Sequence, residues 1–144
     1  MPSDIKSLFE LELDTIKKKH RLGAGGLRTS AALTRRLDRF IASVYRSLES
    51  PDKEFVAVAA LGGYGRQELC FGSDTDVMFL VAGEKEKSRA TDATKEFVRM
   101  LFDAGLSVGH SFRTIGECLD NKETDNEIWN SLLESRFVCG GKRV

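Results

Sequence analysis

Asp74 and Asp76 stand two residues apart at the head of an apolar run, Val77-Met78-Phe79-Leu80-Val81. On an extended backbone, residues i and i+2 face the same way. Both carboxylates can then reach one divalent cation or bridge two. Like charges held close repel each other. A bound Mg²⁺ or Mn²⁺ relieves that repulsion, and carboxylate oxygens are the hard ligands such ions take. The preceding stretch is Leu61-Gly62-Gly63-Tyr64-Gly65-Arg66-Gln67-Glu68-Leu69. Glycines leaving a strand permit positive φ and let backbone N–H groups approach an anion without a Cβ in the way. Arg66 adds a planar fork of donors for phosphate oxygens, and Ser73 a hydroxyl just before the first aspartate. A phosphate cradle beside a two-carboxylate metal site is what metal-assisted nucleotidyl transfer requires: one ion activates the attacking hydroxyl and one steadies the leaving pyrophosphate. Taken singly, a glycine turn, an Asp-x-Asp and an exposed arginine are each more often structural. Their order, after one strand and at the head of the next, favours function.

Those residues need a rigid support, and the chain has the means to build one. Its 144 residues fit a single domain, 41% are hydrophobic and 31% charged, a balance suited to a soluble core. Net charge is zero, which argues against gripping a nucleic-acid backbone as the main task. No apolar run approaches the ~20 residues that span a bilayer, and Met1-Pro2-Ser3-Asp4 does not open a signal peptide. Cys70, Cys118 and Cys139 are odd in number and widely spaced, so a reducing cytoplasm with free thiols is expected rather than a disulfide framework or a zinc site.

The pattern predicts a helix starting at Ser3 or Asp4, with Ile5, Leu8, Phe9 and Ile16 on one face and Glu12 as a polar exception. A solvated basic run, Lys17 to Arg21, closes it. Gly23, Gly25 and Gly26 break the helix, and a second is expected over 28–48, striped by Leu33, Leu37, Phe40, Ile41, Val44, Tyr45 and Leu48. After a turn at Ser50-Pro51-Asp52 come buried strands over 55–61 and 76–81, a polar connection over 83–87, and a helix over 88–104 ended by Gly105. A third strand over 106–110 follows. Thr114 and Glu117 have capping-box spacing. A last helix over 125–138 would carry Ile128, Trp129, Leu132, Leu133 and Phe137 as a core stripe. The expected fold is α/β (α+β): a small mixed sheet flanked by helices, with an N-terminal helical hairpin over 1–50 packed on a core over 51–144.

The run Gly62-Gly63-Tyr64-Gly65-Arg66-Gln67-Glu68-Leu69, then Ser73-Asp74-Thr75-Asp76, resembles the signature of the DNA polymerase β-type nucleotidyltransferase superfamily. Its Gly-Gly-Tyr-Gly-Arg-x-Glu-Leu form is similar to that of the PII uridylyltransferases. Val108-Gly109-His110-Ser111-Phe112-Arg113-Thr114, Leu132-Leu133-Glu134-Ser135-Arg136 and the upstream Arg21-Leu22-Gly23-Ala24-Gly25-Gly26 resemble further segments of that group. The resemblance spans about residues 20–140. It implies transfer of a nucleoside monophosphate, UMP from UTP, to an acceptor hydroxyl, a tyrosine of a PII-type nitrogen-regulatory protein. It also implies Mg²⁺ held by Asp74 and Asp76, nucleotide phosphates held by Gly62, Gly63 and Ser73, and a place within a larger multidomain chain.

The superfamily supplies a third carboxylate from a later strand, whereas the third strand expected here ends in Gly109-His110. Glu134 is an acid in a matching segment, but it falls on the last predicted helix. His110 is a candidate for nucleotide contact or proton transfer, set against a histidine bonded to backbone at a strand end. Arg113 and Arg136 are candidate triphosphate contacts or fold-supporting charges. Arg136 is read as structural, paired with Glu134 or Asp125. Two alternatives keep the same site: a nucleotide-sensing module with weak catalysis, and a minimal transferase acting on a toxin or a small molecule.

Overall fold

The computed structural model describes residues 3–120 and 126–141. Helix α1 (Ser3–Arg21) runs against α2 (Gly26–Ser47). A 3-10 turn over Pro51–Phe55, capped by the Ser50 side chain, leads into strand β1 (Ala57–Ala60). One helical turn, α3 (Gly62–Gly65), follows, then β2 (Thr75–Val81), α4 (Glu84–Asp103), β3 (Val108–Thr114), α5 (Ile115–Asp120), α6 (Asn126–Leu133) and β4 (Arg136–Gly140). The sheet order is β3-β2-β1-β4. β1 is antiparallel to both β2 and β4, while β2 and β3 run parallel, with α4 as the crossover a parallel pair needs. This is the mixed α/β arrangement expected.

The core lies on one face of the sheet. Val58 and Ala60 of β1 and Val77, Phe79 and Val81 of β2 share a single buried cluster with Leu33, Leu37, Phe40, Ile41 and Val44 of α2 and Phe97 and Leu101 of α4. All seven apolar positions predicted for the α2 stripe are buried. α1 adds Phe9, stacked on Phe40 at 4.2 Å between ring centroids. The polar exception on α1 has a reason: Glu12 forms an ion pair with Arg36, a guanidinium buried on α2.

Two boundaries in this part of the chain depart from expectation. α4 begins at Glu84, so its first turn takes in part of the predicted polar connection. Glu84 and Glu86 in that turn complement the helix dipole. β3 continues past His110 to Thr114, where its alternation keeps Val108, His110 and Phe112 in register with Thr75, Val77 and Phe79. The Thr114–Glu117 box forms as expected, with the Thr114 N–H donating to Glu117 Oε2 (2.7 Å) and the Glu117 N–H to Thr114 Oγ1 (3.0 Å).

The last predicted helix is divided. α6 ends at Leu133, and Arg136–Gly140 become β4 against β1. Phe137-Val138-Cys139 is β-prone, and pairing with the free edge of β1 satisfies backbone groups that a helix could satisfy only locally. The expected core stripe is dispersed as a result. Trp129 is half-buried, while Leu133 and Phe137 are 78% and 65% exposed. Asp125 and the Ile128 side chain lie outside the described residues. Among those described, no helix is long and apolar enough to cross a membrane.

Candidate active site

Asp74 immediately precedes β2, and Asp76 is the second residue of that strand. Thr75 between them is buried, and both aspartates are exposed on the opposite face from the helix-packed core. Asp76 stands one residue before the first β2 position with a register partner on β1. Its carbonyl accepts from the Leu61 N–H (2.9 Å), which ties it to the exit of β1. Its register partner on β3 is Gly109. A Cβ at Gly109 would collide with Asp76 Oδ1, and one at Gly62 would stand 3.5 Å from Asp76 Oδ2. The carboxylate is therefore seated between two glycines, one from each side, and its room depends on Gly109 lacking a side chain, whereas a Cβ at Gly62 would stand at ordinary contact distance.

Among the described residues Asp74 has a single fixed partner, Ser107, whose hydroxyl donates to Oδ1 at 2.6 Å. The Ser107 carbonyl accepts from the Thr75 N–H (2.9 Å), so the serine is locked by backbone on one side and holds the aspartate with the other. No cation pairs with either aspartate among the described residues. Two carboxylates on one face with oxygens left unneutralised form a donor set that suits a hard divalent cation.

A cavity of about 280 Å³ opens beside Asp76, bordered by Leu61, Gly62, Gly109, Ser111 and, from α6, Ser131. The glycine turn forms its wall as the one-turn α3. Gly62 adopts φ +52°, and Gly63 has open space where a side chain would be. Gly65 is different: a Cβ there would strike the carbonyl of Glu134, so this glycine is needed for close packing against the α6–β4 corner.

A family described as "Putative nucleotidyltransferase DUF294" matches residues 14–112, a span that includes the glycine turn, both aspartates and Gly109. The chain belongs to this nucleotidyltransferase family. It is also similar to proteins named bifunctional uridylyltransferase/uridylyl-removing enzyme. The one from Pseudomonas putida (strain GB-1) is 33% identical over 135 residues, covering 94% of this chain and 15% of that protein. The one from Idiomarina loihiensis is 37% identical over 109 residues, covering 74% and 12%. The one from Cupriavidus metallidurans is 38% identical over 112 residues, covering 78% and 13%. The chain thus spans no more than 15% of the length of these relatives.

Other residues singled out in this nucleotidyltransferase domain are distributed unevenly around the cavity. Arg66 is exposed and already engaged: Nε donates to Glu68 Oε2 (2.8 Å) and Nη1 to Glu134 Oε2. Those two carboxylates push its pKa up. Glu134 lies in the turn after α6, not on the helix, and its described partner is Arg66. The Ser73 hydroxyl donates to the Cys70 carbonyl (2.9 Å) and accepts from the Cys70 N–H (3.3 Å). It closes the tight turn that delivers Asp74.

His110 borders the cavity, but its ring belongs to the other face of the sheet, edge-on to Phe79 and Phe102 at 6.4 Å each. Arg113 lies four register positions beyond Gly109, opposite Leu80, about 13 Å along the strand at the usual rise per residue. Arg136 pairs with Asp38 of α2 rather than with the expected Glu134, which pairs with Arg66; the other expected partner, Asp125, lies outside the described residues.

Ser107, Gly109 and Ser111 escape a reading of the sequence as site residues. A parallel register is set by the whole β2–α4–β3 unit. Only that register shows which residues of β3 stand beside Asp76.

Proposed function

We propose that this domain transfers a nucleoside monophosphate, UMP from UTP, to an acceptor hydroxyl, a tyrosine of a PII-type regulatory protein in the cytoplasm. The observation that carries the reading is the seating of Asp76 between Gly62 and Gly109, with Asp74 on the same face and the glycine turn walling the adjoining cavity. The similarity to proteins named as uridylyltransferases supports uridylyl transfer. In the reaction, the acceptor hydroxyl gives up its proton to water, its oxygen bonds to the α-phosphorus, and pyrophosphate leaves with the electrons of the broken P–O bond.

Asp74 and Asp76 would hold Mg²⁺, which lowers the pKa of the attacking hydroxyl and neutralises the leaving charge. Ser107 keeps Asp74 in one orientation. Gly62 and Gly63 let backbone donors approach the phosphates. Arg66 would exchange Glu68 and Glu134 for phosphate oxygens on nucleotide binding.

The test is labelled UTP with Mg²⁺ and a PII-type acceptor. Replacing Asp74 and Asp76 together by Asn is expected to abolish labelling with the fold retained, and full activity in that double variant would sink the reading. A second reading, a nucleotide-sensing module with weak catalysis, is favoured by one observation. The β3 face beside Asp76 carries Gly109, Ser111 and Arg113, and no group of three candidate metal ligands occurs among the described residues. Calorimetric binding of Mg·UTP without turnover, with acceptor present, would select it.

A further inference from the structure

The glycine turn is held from behind by a polar cluster that joins three separated parts of the chain. Asp38 lies on α2, between the buried Leu37 and Phe40. Both its oxygens are used. Oδ1 accepts from the Tyr64 hydroxyl at 2.7 Å and from Arg136 Nη2 at 2.9 Å, and Oδ2 accepts from Arg136 Nη1 at 2.9 Å. This is a bidentate fork, the geometry in which Arg–carboxylate pairs are strongest. Arg136 then reaches past Asp38 to the turn. Its Nε donates to the Gly65 carbonyl (3.3 Å), its Nη2 lies 3.4 Å from the Tyr64 carbonyl, and its guanidinium carbon stands 5.4 Å from the centroid of the Tyr64 ring.

Tyr64 is 1% exposed, so its side chain pins the middle of α3 in the core. The cluster therefore grips the turn at Tyr64 and Gly65 and leaves Gly62, which lines the cavity, and its neighbour Gly63 free of it. Its three members come from α2, α3 and β4. None would be needed merely to close a four-residue turn, whose own backbone bonds (Gly65 N–H to Leu61 O, 2.8 Å; Arg66 N–H to Gly62 O, 3.0 Å) are already made.

We infer that Asp38 and Arg136 are positioning residues for the nucleotide site: through Tyr64 and the carbonyls of Tyr64 and Gly65 they set the orientation of Gly62 and Gly63 toward Asp76. This deepens the function proposed above and rests on it for its kinetic consequence. It makes α2 a working part of the transfer site. An acid on the inner face of a helix and an arginine on an edge strand together fix a phosphate-facing turn to which neither belongs.

The experiment compares the wild type with Asp38→Asn and Arg136→Lys. Amide hydrogen exchange over Gly62–Gly65 reads the order of the turn without any nucleotide. In both variants it is expected to speed at least tenfold, with exchange in β2 and α4 unchanged as evidence of an intact fold. The KM for Mg·UTP is expected to rise at least tenfold, with the KM for acceptor within twofold of wild type. Lysine retains the charge of Arg136 but not its fork, so wild-type exchange and KM in Arg136→Lys would overturn the inference. So would unchanged exchange over the turn in folded Asp38→Asn. Tyr64→Phe, which removes only one bond to Asp38, guards against misfolding of the other two and is expected to show a smaller change in the same direction. A wild type that neither binds nor turns over nucleotide would refute the proposed function, while the exchange comparison would still decide the role of Asp38.

Discussion

Gly109 and Asp76 are register partners across the parallel β2–β3 ladder, and the carboxylate occupies the volume a side chain at 109 would need. Gly109→Ala forces the carboxylate to turn away or the strand to shift. Overpacking of this kind costs about 1–3 kcal/mol of stability. The strand is at the sheet edge and can yield, so the low end is expected. Transfer should fall at least tenfold, because the displaced group is a proposed metal ligand. A steady-state assay beside a thermal melt checks this, and a destabilised but fully active variant would refute it.

Ser107 bears on the other carboxylate. Its hydroxyl is the fixed partner of Asp74 Oδ1, at 2.6 Å. Ser107→Ala removes one exposed hydrogen bond, so stability should change by less than about 1 kcal/mol. Asp74 would then sample several rotamers. The expected signature is a three- to tenfold higher Mg²⁺ concentration for half-maximal activity, with a nearly unchanged rate at saturating metal. Titration of Mg²⁺ at fixed UTP reads it, and an unaltered metal requirement would show that Ser107 does not orient Asp74.

The elements nearest the site were the most legible in the sequence, for a physical reason. Asp74 and Asp76 need only period-two alternation to share a face, and Gly62, Gly63 and Gly65 mark a turn wherever they stand. The α2 stripe was equally plain, since Leu33 to Leu48 keep one spacing over about four turns. Arg136 shows where such reasoning stops. Residues 125–138 carry a helical apolar period, yet β4 forms because β1 offers an unpaired edge that only the assembled sheet reveals. Once Arg136 is on a strand, its partner becomes Asp38, distant in sequence and invisible to local spacing. His110 shows the same limit: one register position separates it from Gly109 and puts its ring on the opposite face from Asp76. Glu12 was legible as an anomaly, but its explanation, Arg36, required the α1–α2 packing.

That pair carries a prediction of its own. The Arg36 side chain is 7% exposed and Glu12 36%. Burial pushes the guanidinium pKa down while Glu12 pulls it up. Glu12→Gln keeps the shape and removes the charge, leaving a buried cation with a neutral partner. Breaking a fully buried pair costs about 3–5 kcal/mol. Solvent reaches Glu12, so about 1–3 kcal/mol is expected here, a Tm lower by roughly 3–9 °C for a domain of this size. Glu10→Gln, at an exposed position of the same helix, should leave Tm unchanged. Equal melting of the two variants would mean that the pair contributes nothing measurable.

Tyr64 gives the fold a dependence on alkaline pH. Burial, and then the neighbouring Asp38 carboxylate, push its phenol pKa far up. In the unfolded chain the phenol ionises near pH 10. The folded state retains its proton above that pH, so the unfolded state binds fewer protons and stability falls as pH rises. The contribution of Tyr64 is fully present below about pH 10 and is lost progressively above it, at up to about 1.4 kcal/mol per pH unit. Tyr45 and Cys139, each pushed up to about 12, chiefly by burial, add slopes of their own. Cys139 begins earlier, from the ordinary thiol range near 8.5. The informative quantity is therefore the difference between wild type and Tyr64→Phe. Urea midpoints measured from pH 8 to 11.5 should run parallel below pH 10 and converge above it, the wild type falling more steeply. Parallel profiles throughout would mean that Tyr64 ionises as freely in the folded protein as in the unfolded chain, which its seat against Asp38 forbids.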